Sequence, residues 1–429
     1  MRTDATREPR GAGTAGTGRE AARLGRPRGA PATGRTQTPH KEDCLLAAYL
    51  TAAERVLGQM PPVAVGEGDW SEAAHAALDR LLSALQSDPD SGRVLFVEGL
   101  AGGERIREES KRVMGEFERR VQGFLDSTPK DGDTLDIPAT AVMGALRNIV
   151  SRHLRTHAED RLPSLVEDGL AWVESYAVPA AGARWSTGPH ALLAVAPAQE
   201  LGARARVPGR LPRGRHRLPP GVVARSQRER IIYGTAEVMM AKGYANATVA
   251  DIVARAGISR DVFYEHFTDK QHAFLEAQQH PTQYILDTCA AAYFSAEDWP
   301  ERMWNHLGTL LGLIAANPVI SHLRLVECYA AGPAAIRRAE EITRSFTFFL
   351  EEGYAYRPQA QELPRLCSEA IACAIFEVVQ RHVASGDAAE LPRKLPQIVY
   401  IAIAPFMGPE EAIRLVEKLS ARQLSTGRS

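Results

Sequence analysis

The segment Gln227–Leu275 constrains the fold of this chain most, because it predicts several short helices around a glycine turn. Thr248 and Asp251 have the spacing of a capping box, which predicts a short helix over residues 249–256. Gly257 follows that helix and allows the chain to turn sharply. A helix, a tight turn and a second helix form an arrangement that reads DNA. A small helical subdomain without that function shows the same generic pattern.

The second helix of this arrangement is predicted to begin after Ser259, a residue type that caps helices. Phe263 and Phe267 lie four residues apart, so they share one buried face of that helix. Thr268 and Gln271 repeat the capping-box spacing and predict the start of a further helix. The segment therefore predicts an all-α fold with a DNA-reading helix whose buried face carries two phenylalanines.

The segment Thr248–Ser259, with Phe263–Phe267 and Asp269-Lys270, resembles the DNA-binding domain of TetR/AcrR-type transcriptional regulators. Leu211–His216, just before it, shares the resemblance, which covers about 204–429. The resemblance implies a small DNA-binding domain followed by a larger helical domain that binds a ligand and dimerises. It implies a DNA-binding transcriptional regulator, with repression released by a hydrophobic small molecule. The alternative is a ligand-binding co-regulator that binds DNA weakly and pairs with other regulators.

The predicted recognition helix carries side chains suited to base edges and phosphates. Arg260 can bond a guanine, and Asp261 either accepts from a cytosine amino group or weakens binding. The resemblance implies backbone contacts for three of the residues, Thr248, Tyr264 and Lys270, although helix packing is the alternative role for Tyr264 and His266. The candidate DNA-binding residues are Arg228, Thr248, Ser259, Arg260, Asp261, Tyr264, His266 and Lys270.

A basic stretch precedes this segment, although the formal net charge of the chain is only −1. Nine arginines and one acidic residue, Glu229, lie between positions 201 and 230. Such a stretch next to a DNA-reading helix is typical of phosphate binding, although an arginine-rich linker has the same composition.

The chain also repeats itself at an offset of 229 residues. Asp69-Trp70 aligns with Asp298-Trp299, and Arg152-His153 aligns with Arg381-His382. A constant offset over this length indicates two helical domains in tandem, at about 41–178 (the first copy) and 270–408 (the second copy).

The repeat stops where the helix-turn-helix of the first copy would stand. Residues 1–39 are rich in Gly, Ala, Thr, Arg and Pro and contain too few large apolar residues for a core. We therefore predict two effector domains and one DNA-binding domain. The predicted division is a disordered arm at 1–39, a first effector domain at 40–178, a linker at 179–224, a DNA-binding domain at 225–270 and a second effector domain at 271–421.

The second effector domain is predicted to hold the ligand. Its aromatic residues suit a hydrophobic small molecule, although each of them taken alone fits an ordinary core. Glu327 lies within an apolar run, where a carboxylate either faces a pocket or has an internal partner. The candidate pocket residues are Trp299, Trp304, Glu327, Tyr329, Phe346 and Phe376.

The remaining features exclude several other classes of protein. The five cysteines form no CxxC pair, and no nucleophile elbow, metal triad or phosphate loop occurs, so we expect no enzyme, no cofactor and no metal. No stretch reaches the roughly 20 apolar residues of a membrane span, and a cytoplasmic protein is expected. The expected partners are a double-stranded DNA operator and an unknown small hydrophobic ligand. The last two helices of each effector domain are expected to pair, either within one chain or between two chains.

Overall fold

The structure of the protein is a computed structural model that describes residues 39–60, 70–127, 134–178, 185 and 218–426. The predicted all-α fold class is confirmed, because helices account for nearly all regular structure in these ranges. The described strands are two short ones, β1 (Thr134–Leu135) and β2 (Ala177–Val178), which pair antiparallel. Most of the predicted arm (1–38) and of the linker (179–184 and 186–217) lies outside the described residues.

The described part of the first copy consists of helices joined by short connections. A π-helical turn at Val94–Glu98 and 3₁₀ turns at Glu159–Arg161 and Pro163–Leu165 complete its regular structure. The helices are α1 (Pro39–Gly58), α2 (Trp70–Ser87), α3 (Pro89–Arg93), α4 (Gly99–Ala101), α5 (Glu104–Asp126), α6 (Ala139–Arg155) and α7 (Val166–Glu174).

Four helices form the helix-turn-helix segment: α8 (Pro220–Asn246), α9 (Val249–Ala256), α10 (Arg260–His266) and α11 (Lys270–Gln279). The first of them bends at Gly243, whose φ of 72° favours glycine. The predicted second capping box is wrong. Asp269 caps α11 instead, because its carboxylate accepts a hydrogen bond from the backbone N–H of His272 at 2.7 Å.

The second copy continues directly from this segment. Its 3₁₀ turns are Glu351–Ala355, Pro358–Glu362 and Ala388–Lys394. Its further helices, with one beyond the repeat, are α12 (Thr282–Tyr293), α13 (Trp299–Ala316), α14 (Pro318–Leu325), α15 (Pro333–Ser345), α16 (Thr347–Leu350), α17 (Leu366–Ala384), α18 (Leu395–Met407) and α19 (Pro409–Thr426).

Four helices of the first copy start at the predicted offset from four helices of the second copy. Helices α2, α3, α5 and α7 begin 229 residues before α13, α14, α15 and α18, respectively. A helix start is set by local capping and by proline, which is favoured in the first turn. The shared offset therefore means that the two copies begin these four helices at equivalent positions.

The two copies pack against each other through α6 and α17, which run antiparallel. The helices approach closely at Gly144, where an added Cβ would lie 2.4 Å from the Cβ of Glu377. One continuous apolar core contains residues from both copies. Two buried tyrosines also join them, since Tyr176 donates to the carbonyl of Ile401 at 2.7 Å and Tyr400 donates to the carbonyl of Asp136 at 3.0 Å.

Ion pairs surround the crossing of α6 and α17. Glu377 is 2% exposed and accepts hydrogen bonds from Arg147 of the first copy and from Arg381 on its own helix. Arg381 also pairs with Glu118 on α5. Arg155, in turn, pairs with Glu340 on α15, the helix equivalent to α5. The two ends of the interface are therefore related by an approximate twofold exchange of the copies.

Candidate DNA-binding face and ligand cavity

The recognition helix α10 exposes its polar residues and buries its aromatic ones. Phe263 and Phe267 are at most 1% exposed and belong to the core of the segment. Three of the predicted base-contacting residues are exposed at its start, namely Ser259, Arg260 and Asp261. Ser259 also caps the helix, because its hydroxyl oxygen accepts from the backbone N–H of Val262 at 3.3 Å. The helix therefore presents a short polar N-terminus that can enter a major groove.

Tyr264 lies on the same exposed side of α10. Its ring is 47% exposed, and the guanidinium of Arg260 lies 5.7 Å from the ring centroid. His266 differs, because it is half-buried and its Nε2 is enclosed without a hydrogen-bond partner. Tyr264 therefore remains the better candidate for a phosphate contact.

Two other predicted phosphate contacts have structural partners of their own. Thr248 and Asp251 form the reciprocal capping box of α9, and the Lys242 ammonium beside Asp251 holds the pKa of that carboxyl at about 2. Lys270 is half-buried, and its ammonium donates to the carbonyls of Tyr244 at 2.7 Å and Ala247 at 2.9 Å. Its contacts fasten the start of α11 to the end of α8, and burial lowers its pKa.

Arg228 on α8 is engaged as well. Its guanidinium pairs with Glu276 of α11 and lies 5.7 Å from the ring centroid of Phe267. These contacts brace the first and fourth helices of the segment around the recognition helix. Of the eight predicted DNA-binding residues, four combine exposure with a position on or at the start of α10: Ser259, Arg260, Asp261 and Tyr264.

A cavity of about 430 Å³ lies inside the second copy. Its walls come from α8 and from α11 to α17, and most of the lining side chains are apolar. Phe346 and Phe376, both predicted as pocket residues, line it together with Leu307, Leu310 and Phe349. Its volume lies within the range of small-molecule sites.

The other four predicted pocket residues do not line this cavity. Trp299 packs edge-on against Phe406, and Trp304 lies in the core shared by the two copies. Tyr329 lies in the core of the helix-turn-helix segment. These aromatic residues are buried as the helix pattern requires, but they lie outside the lining of the 430 Å³ cavity.

Glu327 is the fourth, and it joins the second copy to the helix-turn-helix segment. Its carboxylate accepts a hydrogen bond from the backbone N–H of Tyr244 at 2.6 Å and lies 3.5 Å from Nε2 of His322. Burial raises the pKa of Glu327, but the hydrogen bonds from His322 and Tyr244 outweigh it and the pKa is lowered. Glu327 therefore fastens the C-terminal end of α8 to the segment that follows α14.

Several polar residues of the cavity were missed by the sequence reasoning. Arg324, Gln278 and His306 line it, and each has a buried side-chain N or O atom without a hydrogen-bond partner among the described residues. Burial lowers the pKa of His306 to about 4, so this imidazole is neutral at pH 7. The signal for Arg324 was its position in the otherwise apolar turn before Glu327.

The first copy holds a different and smaller cavity of about 120 Å³, whose described lining is apolar. The residues equivalent to Phe349 and Phe376 are Arg120 and Arg147. Arg120 donates to two backbone carbonyls near the end of α1, and Arg147 pairs with Glu377. Arginines of the first copy thus have structural roles where the second copy places cavity-lining rings.

The helix-turn-helix segment matches a known protein family. Residues 231–277 match the model described as bacterial regulatory proteins, tetR family. The helix-turn-helix segment is therefore a tetR-family domain. The tetR-family domain contains the exposed start of α10, the buried Phe263 and Phe267, and Lys270 with its hydrogen bonds to the end of α8.

Three known proteins are similar to parts of this chain. The chain is 22% identical over 155 residues to the HTH-type transcriptional activator FasR of Mycolicibacterium smegmatis. The aligned residues cover 36% of this chain and 59% of FasR. It is 38% identical over 63 residues to the uncharacterized HTH-type transcriptional regulator TtgW of Pseudomonas putida. These residues cover 14% of this chain and 47% of TtgW. The chain thus spans about half the length of these curated relatives. The fatty acid degradation regulator FadR of Bacillus halodurans overlays with a TM-score of 0.38 at 17% identity, covering 44% of this chain and 97% of that one.

The side chains and helices of the described residues bear on other classes of site. No cluster of three or more His, Cys, Asp or Glu side chains suited to a metal ion occurs among them. None of their helices is by itself long and apolar enough to cross a membrane. Helices α13 and α14 reach that threshold only as a pair, and the chain bends by 104° between them.

Proposed function

We propose that this protein is a sequence-specific DNA-binding transcriptional regulator, a repressor that a hydrophobic small-molecule ligand releases from its operator. The single observation that carries the proposal is the position of α14. This helix lines the 430 Å³ cavity and also packs against α8 of the tetR-family domain.

The two faces of α14 carry different residues. Leu323 belongs to the core that contains the buried residues of α8, whereas Ser321 and Arg324 line the cavity, and Ile320 contributes to both. A ligand that shifts α14 therefore changes the packing of α8 directly. Close-packed cores respond to such shifts by changing between discrete arrangements.

The hydrogen bond of Glu327 adds a second connection to the same domain. Glu327 follows α14 in the chain, and its carboxylate accepts a hydrogen bond from the backbone N–H of Tyr244 near the end of α8. A ligand with different affinities for the two positions of α14 shifts the population of DNA-binding conformations. The proposed outcome of ligand binding is lower affinity for the operator.

The pairing of the copies within one chain sets the number of DNA readers. A symmetric dimer of helix-turn-helix proteins places two recognition helices about 34–36 Å apart on one face of DNA. In this chain the α6–α17 pairing joins two copies to one tetR-family domain. We propose that the dilute protein is a monomer that covers one half-site and that chains must associate further to cover two.

A second candidate function is a co-regulator that binds ligand but has weak affinity for DNA and pairs with other regulators. The observation that favours it is the same single reader per chain. FasR, one of the relatives, is named an activator, so the direction of control needs its own test. Expression of a reporter gene placed behind the upstream region distinguishes repression from activation.

We expect the intact protein to retard DNA from its own upstream region, most strongly at low salt, where phosphate contacts are strongest. Arg260→Ala should reduce the preference for that DNA over random DNA by about 1–3 kcal/mol, because a bidentate guanine contact is lost. Competition binding at fixed salt measures both quantities.

Arg365→Ala is the matched control, because it removes one exposed arginine that pairs with Glu351 far from α10 in sequence. The control should keep the wild-type preference. An Arg260→Ala protein with an unchanged preference would refute the role of Arg260. No retardation of any DNA at low salt would favour the co-regulator.

A further inference from the structure

Arg324 is the feature of the cavity that an apolar ligand alone does not explain. The residue is 9% exposed, and its Nη1 is buried without a hydrogen-bond partner in the part of the chain that the structure describes. A buried guanidinium without an acceptor is costly, because its solvation in water has been lost.

The surroundings of Arg324 supply no negative charge. The described lining of the cavity contains no Asp or Glu, and Arg324 is its only arginine or lysine. Burial lowers the pKa of Arg324 to about 10, so the guanidinium stays charged at neutral pH. The cavity therefore holds one uncompensated positive charge within apolar walls.

The helix that carries Arg324 and the neighbouring α11 contribute further polar side chains to the lining. Gln278 of α11 and Ser321 of α14 line the cavity with Arg324, and α11 and α14 pack against each other. The rings of Phe346, Phe349 and Phe376 come from α16, α17 and the end of α15, and they give an apolar region. A molecule that satisfies both kinds of lining side chain has an oxyanion at one end and a hydrocarbon body.

We propose that the ligand of this cavity is an anionic amphiphile whose compact oxyanion head, a carboxylate or phosphate, binds the guanidinium of Arg324. The assignment rests on the proposed ligand-responsive function and names the chemical class of its ligand. It applies to the second copy alone, because the residue equivalent to Arg324 in the first copy is Leu95, which is 1% exposed.

The test compares head groups on one ten-carbon chain with the intact protein. Isothermal titration calorimetry measures decanoate, decyl phosphate, 1-decanol and decylamine below their micelle concentrations at pH 7.4. At least one of the two anions should bind about tenfold or more tightly than 1-decanol, because a charge-assisted hydrogen bond to Arg324 replaces a buried unpaired group. Decylamine should bind most weakly. The affinities of decanoate and decyl phosphate, compared with each other, show whether the cavity prefers a carboxylate or a phosphate head group.

Three variants connect the preference to one residue. Arg324→Met should bind the anions and 1-decanol with equal affinity, and Arg324→Lys should recover part of the preference because it restores the charge. Arg365→Met is the control, since it removes an exposed arginine and should leave the preference intact. If Arg324→Met does not fold, the comparison of head groups on the wild-type protein decides alone.

Equal binding of 1-decanol and both anions would overturn the proposal, as would an unchanged preference in a folded Arg324→Met protein. Binding of none of the four compounds would also overturn it. Operator binding is measured in the same samples by fluorescence anisotropy without ligand. If the head-group test fails while operator binding is retained, the proposed ligand class is wrong and the proposed DNA-binding function stands. If operator binding is absent as well, the proposed function itself is wrong.

Discussion

Glu377→Ala is expected to lower the local free energy of unfolding at the α6–α17 interface by about 3–5 kcal/mol, because it removes one partner of a buried ion pair. Glu377 is 2% exposed, and the side chain of Arg147 is 11% exposed. The substitution leaves the Arg147 guanidinium without its carboxylate in the interface. Native-state hydrogen exchange of amides in the two helices measures the loss.

Glu390→Ala is the control for this prediction. It removes an exposed carboxylate that pairs with Arg393, three residues away, and should change stability by less than about 1 kcal/mol. The double variant Arg147→Met with Glu377→Leu should recover much of the loss, since apolar replacements of a buried pair are tolerated. Equal losses for Glu377→Ala and Glu390→Ala would contradict the prediction.

Phe263→Ala should abolish DNA binding while the second copy keeps its cavity. The ring is fully buried in the core of the tetR-family domain, and removing such a ring costs about 3–5 kcal/mol. Helix α10 has only seven residues, so its position depends on this packing and not on its own stability. Anisotropy with labelled DNA measures binding, and hydrogen exchange over 249–279 measures the loss of order.

Tyr264→Ala is the matched control, because it removes the next aromatic ring on the same helix, which is 47% exposed. Its stability should stay within about 0.5 kcal/mol of the wild type. Its affinity for all DNA sequences should fall in parallel, since a phosphate contact carries no sequence preference. Full DNA affinity in Phe263→Ala would show that α10 is held by contacts other than this ring.

The helix-turn-helix could be predicted from the sequence because its signals are local. Thr248 and Ser259 cap the helices they were predicted to cap, and Gly257 adopts the left-handed conformation with φ of 63°. The error at the start of α11 is of the same local kind. Thr268 and Asp269 are adjacent and both can cap a helix, and the hydrogen bond to His272 goes to Asp269.

The cavity could be predicted only in part. Helical periodicity indicates which residues are buried, and Trp299, Trp304 and Tyr329 are indeed buried. It does not indicate which buried residues face an empty space, because that depends on how neighbouring helices pack. Arg324 shows the same limit, since a missing partner for a buried charge is a property of the surrounding helices and not of the turn that carries it.

The pair formed by Arg147 and Glu377 has a consequence for which copies can meet. By the offset of 229 residues, Arg147 corresponds to Phe376 and Glu377 corresponds to Asn148. Two second copies in the same antiparallel register would therefore place Glu377 opposite a phenylalanine, and two first copies would place Arg147 opposite an asparagine. Pairing of two first copies buries Arg147 without its counterion, and pairing of two second copies leaves Glu377 with only Arg381 of its own helix, so both pairings are disfavoured. The charged residues of α6 and α17 thus complement each other, and we expect each half of the chain to pair with the other half in preference to a second copy of itself.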